Sequence, residues 1–185
     1  MDPRGRAVRR VSRFAQALTV AFIIARSVCA VAGPPAQGKE RPARVRQWPC
    51  RLVVKPTLDG VVEDGWRRSP TLQRQCRDLA EAGAVVALEW GRTDSQSRAL
   101  NDMKLAEDGV VVARVSVPPV SDAIELVAHE LEHVIERARG MDYAAEAKRR
   151  GSGVWRAYGG FETQRAIDAG RQVAKELRET PRVPR

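Results

Sequence analysis

The sequence predicts a single α+β domain that spans residues 48–180. Short apolar runs of strand length stand beside longer segments in which apolar residues recur at helical spacing. The chain has 185 residues, of which 43% are hydrophobic, and this is enough apolar material for one core. No apolar run in the sequence is long enough for a secure membrane span.

Three apolar runs predict the strands of a small sheet. Residues 51–54 form a short strand candidate, and the continuous run at 84–90 is typical of a central strand. Residues 110–117 alternate in their second half, which indicates a half-buried strand, and the prolines that follow favour a position at the sheet edge. Residues 91–109 are polar and show little pattern, so no element is predicted there.

Capping residues and periodicity predict the helices. Ser69 and Pro70 mark the start of a helix that Gly83 ends, whereas residues 58–60 signal a turn. The predicted helices cover residues 70–82, 122–139, 142–150 and 161–179, with a glycine-rich loop at 151–160.

The predicted helix at 122–139 carries both histidines of the chain. At about 100° per residue, its apolar stripe lies nearly opposite His129 and His133. The stripe consists of Ile124, Val127, Ala128, Leu131, Ile135 and Ala138. The helix can therefore bury one face in the core and present its histidines to a cleft.

The first 32 residues have the features of a signal peptide. Five arginines precede an apolar segment at 15–25, and Ala30-Val31-Ala32 offers a small-x-small cleavage site. Cleavage after Ala32 predicts an exported protein, either periplasmic or extracellular. Arg26 interrupts the apolar segment, so an uncleaved N-terminal membrane anchor is the alternative.

Export also changes the charge balance. The full chain has a net charge of +9, but removing the six arginines and one aspartate of residues 1–32 leaves 26 basic and 22 acidic residues, a net charge of +4. Mixed charges of this kind are typical of solvated helix faces, and we expect no nucleic-acid partner. Residues 33–47 are rich in proline and charge and predict a disordered linker, and residues 181–185 predict a loose tail.

Cys50 and Cys76 are expected to form a disulfide. They are the two cysteines that remain once Cys29 is lost with the signal, and an even count in an exported protein favours a bridge. Cys76 lies on the inward face of its predicted helix, toward the strand region that carries Cys50. Two unpaired, buried thiols are the alternative.

Residues 129–133 read His-Glu-Leu-Glu-His, an HExxH motif. Histidines four residues apart lie one helical turn apart, so both rings can bind one zinc ion. Glu130 would flank that ion as the base that takes a proton from water and returns it to the leaving group. Glu132 points to another side and is expected to meet solvent or a basic residue. A chance match on an ordinary helix is the alternative.

A third zinc ligand must come from elsewhere, because the chain has only two histidines. Glu162 is preferred, because it shares a face of the predicted last helix with small and apolar residues, where a carboxylate is costly unless a cation or hydrogen bonds receive it. A first-turn acid favoured by the helix dipole is the alternative. The weaker candidates are Asp142, Glu146 and Asp168.

The strand, the HExxH helix and the later glutamate resemble the gluzincin branch of the zincin metallopeptidases, particularly its small single-domain members. The resemblance covers residues 84–178 and implies a small mixed or antiparallel sheet packed on the HExxH helix and a C-terminal helix. It implies Zn²⁺ held by His129, His133 and Glu162, with Glu130 as general base. It also implies that an edge strand, here 110–117, binds substrate as an added strand.

The chain departs from the larger gluzincins at two positions. Phe161 stands before Glu162 in place of an asparagine, and Ala166 stands four residues after it in place of an aspartate. The carboxylate that would orient a zinc-binding histidine is therefore unassigned.

Tyr158 and Arg156, in the glycine-rich loop, are candidates for stabilising the oxyanion of the transition state. A surface aromatic and a solvated charge are the alternative interpretation. The combined prediction is an exported, monomeric zinc metallopeptidase that acts on a peptide or protein substrate. Its rivals are a non-catalytic exported domain in which zinc or the helix is structural, and a zinc hydrolase that acts on a non-peptide amide.

Overall fold

The structure, a computed structural model, describes residues 48–92, 99–157 and 160–181. The predicted signal peptide and linker at 1–47 and most of the predicted tail at 182–185 lie outside the described residues. The described part has a mixed α+β fold with one small mixed sheet and flanking helices. The predicted α+β class is confirmed at this level.

The strands are β1 (Leu52–Val54), β2 (Val85–Trp90), β3 (Leu100–Leu105), β4 (Val111–Val117), β5 (Val154–Ala157) and β6 (Gly160–Thr163). The helices are α1 (Pro56–Arg68), α2 (Pro70–Glu81), α3 (Ala123–Ala138), α4 (Tyr143–Glu146) and α5 (Gln164–Glu179). In the part of the chain that the structure describes, no helix combines the length and the apolar character that crossing a membrane requires.

The main sheet has the strand order β1-β2-β4-β3. Strands β1, β2 and β4 are parallel, and β3 runs antiparallel to β4. The alternation predicted for β4 is confirmed, because Ala113, Val115 and Val117 are buried whereas Val112 and Arg114 are exposed. The buried face of the sheet joins the same core as the apolar stripe of α3.

The prediction that residues 110–117 lie at the sheet edge is wrong. β4 pairs with β2 on one side and with β3 on the other, so β3 is the outer strand. The sequence of β3, Leu-Asn-Asp-Met-Lys-Leu, is too polar to stand out from its surroundings. An outer strand tolerates such residues because one of its sides is solvated.

α1 occupies the region where the sequence predicts a turn at 58–60. A proline stands in its first turn, where the missing N–H costs nothing, and Leu58 and Val62 are buried. Gly65 lies where α1 approaches α3, and a Cβ there would clash with Cγ1 of Ile124. The absence of a side chain at Gly65 therefore allows the two helices to pack closely.

Cys50 and Cys76 form the predicted disulfide. Cys50 stands just before β1, and Cys76 lies on the buried face of α2. Helix α2 itself begins as predicted, because the Ser69 Oγ accepts a hydrogen bond of 3.1 Å from the N–H of Leu72. The bridge ties the first strand to a helix across a sequence separation of 26 residues.

Replacing both cysteines with alanine is expected to lower the free energy of unfolding by about 3–4 kcal/mol, because the unfolded chain regains the entropy of an open loop. Urea unfolding of the oxidised wild type and of the Cys50→Ala/Cys76→Ala variant measures the difference. A reductant should bring the wild type toward the variant and leave the variant unchanged. Equal stability of the oxidised wild type and the variant would contradict a stabilising bridge.

The glycine-rich loop predicted at 151–160 and the predicted start of the last helix at residue 161 are wrong. β5 and β6 form an antiparallel hairpin, and α5 begins only at Gln164. Thr163 caps α5, since its Oγ1 accepts a hydrogen bond of 3.0 Å from the N–H of Ala166. Glu162 therefore lies on strand β6 and not on a helix face.

α3 and α5 pack against each other. Gly170 lies at their contact, where a Cβ would lie 3.2 Å from the main-chain oxygen of Glu125. The predicted boundaries of α3 are confirmed to within one residue at each end. β6 enters α5 directly, so Glu162 is held beside the histidines of α3.

Candidate metal centre

His129 and His133 lie on successive turns of α3, as the motif predicts. Their side chains are 21% and 9% exposed, so His129 reaches the protein surface whereas His133 is buried behind it. The two ring centroids are 4.9 Å apart. One small ion can therefore contact both rings from the open side of the helix.

Glu162 reaches both histidines from strand β6. Its Oε2 lies 3.3 Å from Nε2 of His129, and its Oε1 lies 3.3 Å from Nε2 of His133. The N–H of Thr163 donates a hydrogen bond of 2.7 Å to Oε1 of Glu162 and fixes the carboxylate. The structure thus brings together the three residues that the sequence predicts as ligands, although the predicted helical position of Glu162 is wrong.

The donor set fits a zinc ion. Two atoms that each lie about 2.0–2.2 Å from zinc at tetrahedral angles are roughly 3.3–3.5 Å apart. Each Glu162 oxygen lies 3.3 Å from a different Nε2 atom, a separation that falls in this range and is also that of a hydrogen bond in the metal-free protein. One ligand atom from each of the three residues can be chosen so that all lie within 4.8 Å of one another. Two imidazoles and a carboxylate are also a chemically ordinary zinc set.

Glu130 lies beside this cluster on α3 and is only 8% exposed. Burial raises the pKa of the Glu130 carboxyl, and the positive potential of His133 and His129 opposes the rise. The Nδ2 of Asn101 on β3 donates a hydrogen bond of 3.2 Å to the main-chain oxygen of Glu130. The outer strand of the sheet is therefore tied to the motif.

Glu136 and Tyr143 are contacts that the sequence did not predict. Oε2 of Glu136 lies 3.4 Å from Nδ1 of His133, the ring nitrogen that faces away from Glu162. The Tyr143 hydroxyl donates a hydrogen bond of 2.7 Å to the main-chain oxygen of His133. The spacing of three residues between His133 and Glu136 on one helix is a signal that could have indicated the first contact. No local pattern indicates the second.

Glu132 is buried, and the predicted contact with a basic residue is confirmed. Its carboxylate is 2% exposed and accepts hydrogen bonds from Arg165 at 2.7 Å and from Arg74 at 3.2 Å. Gln75 donates a further hydrogen bond of 3.0 Å. Glu132 therefore connects α2, α3 and α5 beneath the metal cluster.

Two of the three candidate ligands, Glu162 and His133, have shifted pKa values because of their contacts in the cluster. Burial favours the neutral form of Glu162, yet hydrogen bonds from His129 and His133 hold the pKa of its carboxyl well below the usual range. Burial likewise favours a neutral ring at His133, yet Glu136 and Glu162 raise the pKa of His133 to about 9. In the metal-free protein, a proton on His133 thus supplies positive charge among these carboxylates.

Zinc affinity is expected to weaken by about tenfold for each pH unit below pH 9, because zinc must then displace the proton from His133. The contacts that raise the pKa of His133 also contribute to the stability of the metal-free fold. This contribution is fully present below pH 6.5, the ordinary pKa of histidine, and is lost as the pH rises through about 9. Zinc titration with a competing chelator at several pH values measures the slope. An affinity independent of pH between 6.5 and 9 would contradict this titration of His133.

Tyr158 and Arg156 are the two residues that the sequence predicts for the oxyanion. Tyr158 is outside the described residues. The guanidinium of Arg156 lies 5.4 Å from the centre of the Phe161 ring. Arg156 pairs with Phe161 across the hairpin, and the neighbouring pair is Trp155 with Glu162. Side chains alternate along a strand, so Arg156 points to the face opposite Glu162, and its role at the oxyanion stays a prediction.

The alternative acids have contacts of their own. Asp142 caps α4 by accepting a hydrogen bond of 3.0 Å from the N–H of Ala145. Glu146 pairs with Arg149 at 2.7 Å, and Asp168 accepts a hydrogen bond of 2.9 Å from Gln164. Among the described residues, Glu162 is the acid that groups with both histidines.

Comparison with known proteins gives this chain no relative. No protein-family model matches it, and neither a curated protein nor a solved structure shows significant similarity to it.

Proposed function

We propose that this protein is an exported zinc-dependent metallopeptidase that hydrolyses peptide bonds with an activated water. One observation carries the proposal: His129, His133 and Glu162 converge on one point, with the buried Glu130 beside them. Both histidines of one helix approach the same carboxylate of a separate strand, each at 3.3 Å, which places three potential metal donors together. The disulfide between Cys50 and Cys76 supports export, because such bonds persist in oxidising compartments.

The number of ligands favours a catalytic over a structural site. In the part of the chain that the structure describes, the candidate metal group has three members. Structural zinc sites are closed by four protein ligands, whereas catalytic sites keep one position open for water or substrate. The partial exposure of His129 and Glu162, 21% and 22%, gives that position access to solvent.

Each residue then has a defined task in the reaction. When bound, zinc would supply a Lewis acid and would lower the pKa of water. Glu130 takes the proton from the attacking water and passes it to the leaving nitrogen, which is general acid–base catalysis by one group. The raised pKa of the Glu130 carboxyl helps the proton transfer to the leaving nitrogen. A general acid works best when its pKa lies near the operating pH, and the rise brings Glu130 closer to neutral pH.

The outer strand β3 is the proposed platform for an extended peptide. Among the described residues, β3 pairs with β4 alone, so its other edge can accept an added strand. Asn101 ties this strand to the main chain of Glu130. A peptide added to β3 would therefore lie close to the catalytic carboxylate, and β3 takes the substrate-binding role that the resemblance to gluzincins implied for residues 110–117.

We further propose that the fold is zincin-like, of the small gluzincin type. Three arrangements support this proposal: a mixed sheet with an antiparallel outer strand, the HExxH helix α3 packed on that sheet, and a glutamate ligand just before the C-terminal helix α5. We propose that the enzyme acts as a monomer on peptides or proteins and has no nucleic-acid partner.

Cleavage of a library of quenched fluorescent peptides before and after zinc removal tests the function. We expect cleavage by the zinc-loaded protein, loss of cleavage with the chelator phenanthroline, and recovery on addition of one equivalent of zinc. Stoichiometric zinc without any peptide cleavage would contradict the proposed function and favour a structural zinc domain or an amidohydrolase with a non-peptide substrate. Cleavage that survives complete zinc removal would also contradict it.

A further inference from the structure

Glu136 is a fully buried acid that the proposed reaction does not use. It lies on α3 three residues after His133 and is 2% exposed. Its Oε2 lies 3.4 Å from Nδ1 of His133. Because Nε2 of that ring faces Glu162, the contact with Glu136 leaves Nε2 as the nitrogen available to a metal.

Glu136 also contacts the strand that carries the third ligand. The Oγ1 of Thr163 donates a hydrogen bond of 3.1 Å to Oε2 of Glu136. The main-chain N–H of the same threonine donates to the Glu162 carboxylate at 2.7 Å. Thr163 therefore stands between the two acids, and its position on β6 is fixed by Glu136 from the side of α3.

The two oxygens of Glu136 have unequal surroundings. Oε2 meets Nδ1 of His133 at 3.4 Å and accepts a hydrogen bond of 3.4 Å from the Tyr143 hydroxyl, whereas Oε1 accepts no hydrogen bond from the described residues and lies 3.8 Å from Nε of Arg165. Burying a carboxylate with incomplete hydrogen bonding is costly. A metal ion at Nε2 of His133 would offset this cost. It would polarise the ring and strengthen the hydrogen bond that Nδ1–H donates to Glu136.

We propose that Glu136 is the positioning residue of the metal site: it fixes the ring of His133 through Nδ1 and fixes the Glu162 strand through Thr163. One side chain thus sets two ligands that come from separate elements of the fold. This fills the role of the orienting carboxylate, which the sequence left unassigned. The inference rests on the proposed function to the extent that the cluster binds zinc.

Glu132 provides a matched control. It lies on the same helix, is equally buried at 2%, and also pairs with Arg165. Its other hydrogen bonds go to Gln75 and Arg74. Replacement of either acid by glutamine keeps the side-chain volume and removes one buried charge, but only Glu136 contacts a ligand.

Zinc affinity, measured on folded protein by competition with a chelator, distinguishes positioning from general stability. Glu136→Gln is expected to bind zinc about 10–100-fold more weakly than wild type and to change the visible absorption spectrum of the cobalt-substituted protein. Glu132→Gln is expected to lower the unfolding temperature while keeping the zinc affinity and the cobalt spectrum. Equal losses of affinity in the two variants, or no loss in Glu136→Gln, would overturn the inference.

Nitrogen NMR of the histidine rings in zinc-loaded wild type gives a second test that needs no variant. We expect zinc at Nε2 of His133 and a proton on Nδ1 with slow solvent exchange. Zinc at Nδ1, or a rapidly exchanging Nδ1 proton, would overturn the role of Glu136. If the wild type binds no zinc at all, the proposed function fails. If the wild type binds zinc and Glu136→Gln binds it equally well, only the role of Glu136 fails.

Discussion

Glu130→Gln is expected to lower kcat for peptide cleavage by about 10²–10⁴-fold and to leave zinc binding intact. Glutamine has nearly the same volume and can still form hydrogen bonds, but it cannot take a proton from water near neutral pH. Glu130 is buried beside both histidines without being one of the ligand group, so its loss removes the base and not the metal. Metal content and single-peptide kinetics, measured on the same preparation, check the two parts of this result.

Glu132→Gln is the matched control for this experiment, because Glu132 belongs to the same motif and is buried, but it contacts basic residues and not the ligand group. We expect it to cleave peptide at close to the wild-type rate when assayed well below its unfolding temperature. Wild-type cleavage by Glu130→Gln would rule out Glu130 as the base. Loss of zinc from Glu130→Gln would show instead that this residue holds the metal.

Glu162→Gln is expected to weaken zinc binding by more than about 100-fold, since loss of a direct ligand should exceed the 10–100-fold cost of losing an outer contact. Both oxygens of Glu162 lie 3.3 Å from a histidine Nε2, and the neutral amide is a much poorer zinc ligand. Competition with a chelator at fixed pH measures the affinity. Peptide cleavage at limiting zinc should fall in parallel with occupancy.

Asp168→Asn is the control for Glu162→Gln. Asp168 is an exposed acid on α5, close to Glu162 in the sequence, and its carboxylate accepts a hydrogen bond from Gln164. We expect it to keep the wild-type zinc affinity. If Glu162→Gln also bound zinc with wild-type affinity, Glu162 would be excluded as the third ligand.

The helices with strong local signals could be predicted from the sequence. α3 has an apolar stripe, and Ser69 and Pro70 mark the start of α2, so their boundaries follow from periodicity and capping. α1 could not be recognised from the sequence. Residues 58–60, which end in Gly60, are typical of a turn, and the apolar pattern around them is weak. α1 also packs closely against α3 at Gly65, a tertiary contact that its local sequence does not reveal.

The strands with mixed or glycine-rich sequences were missed for a related reason. β3 alternates poorly because it lies at the edge of the sheet, and the hairpin of β5 and β6 is surrounded by glycines that suggest a loop. Glu162 was still chosen correctly as the residue that meets the histidines. Glu162 stands two residues before the first residue of α5, so it stays close to that helix although it lies on a strand.

The distant partners of the acids behind the candidate ligands could not be identified from the sequence, although a basic partner was predicted for Glu132. Glu136 meets Thr163 across 27 residues of sequence, and Glu132 meets Arg165 across 33. Such contacts depend on how α3 and α5 pack, and a sequence without its fold does not specify that packing. The residue pairs that stabilise the site are therefore less visible in the sequence than the ligands.

A crystal structure of the protein loaded with one equivalent of zinc, with anomalous scattering recorded at the zinc edge, tests the central claim most directly. We expect one zinc peak that is bound by Nε2 of His129, Nε2 of His133 and the carboxylate of Glu162, with the fourth position filled from solvent. Absence of zinc from this cluster would contradict the metal site. A fourth protein ligand on the zinc would contradict the catalytic function.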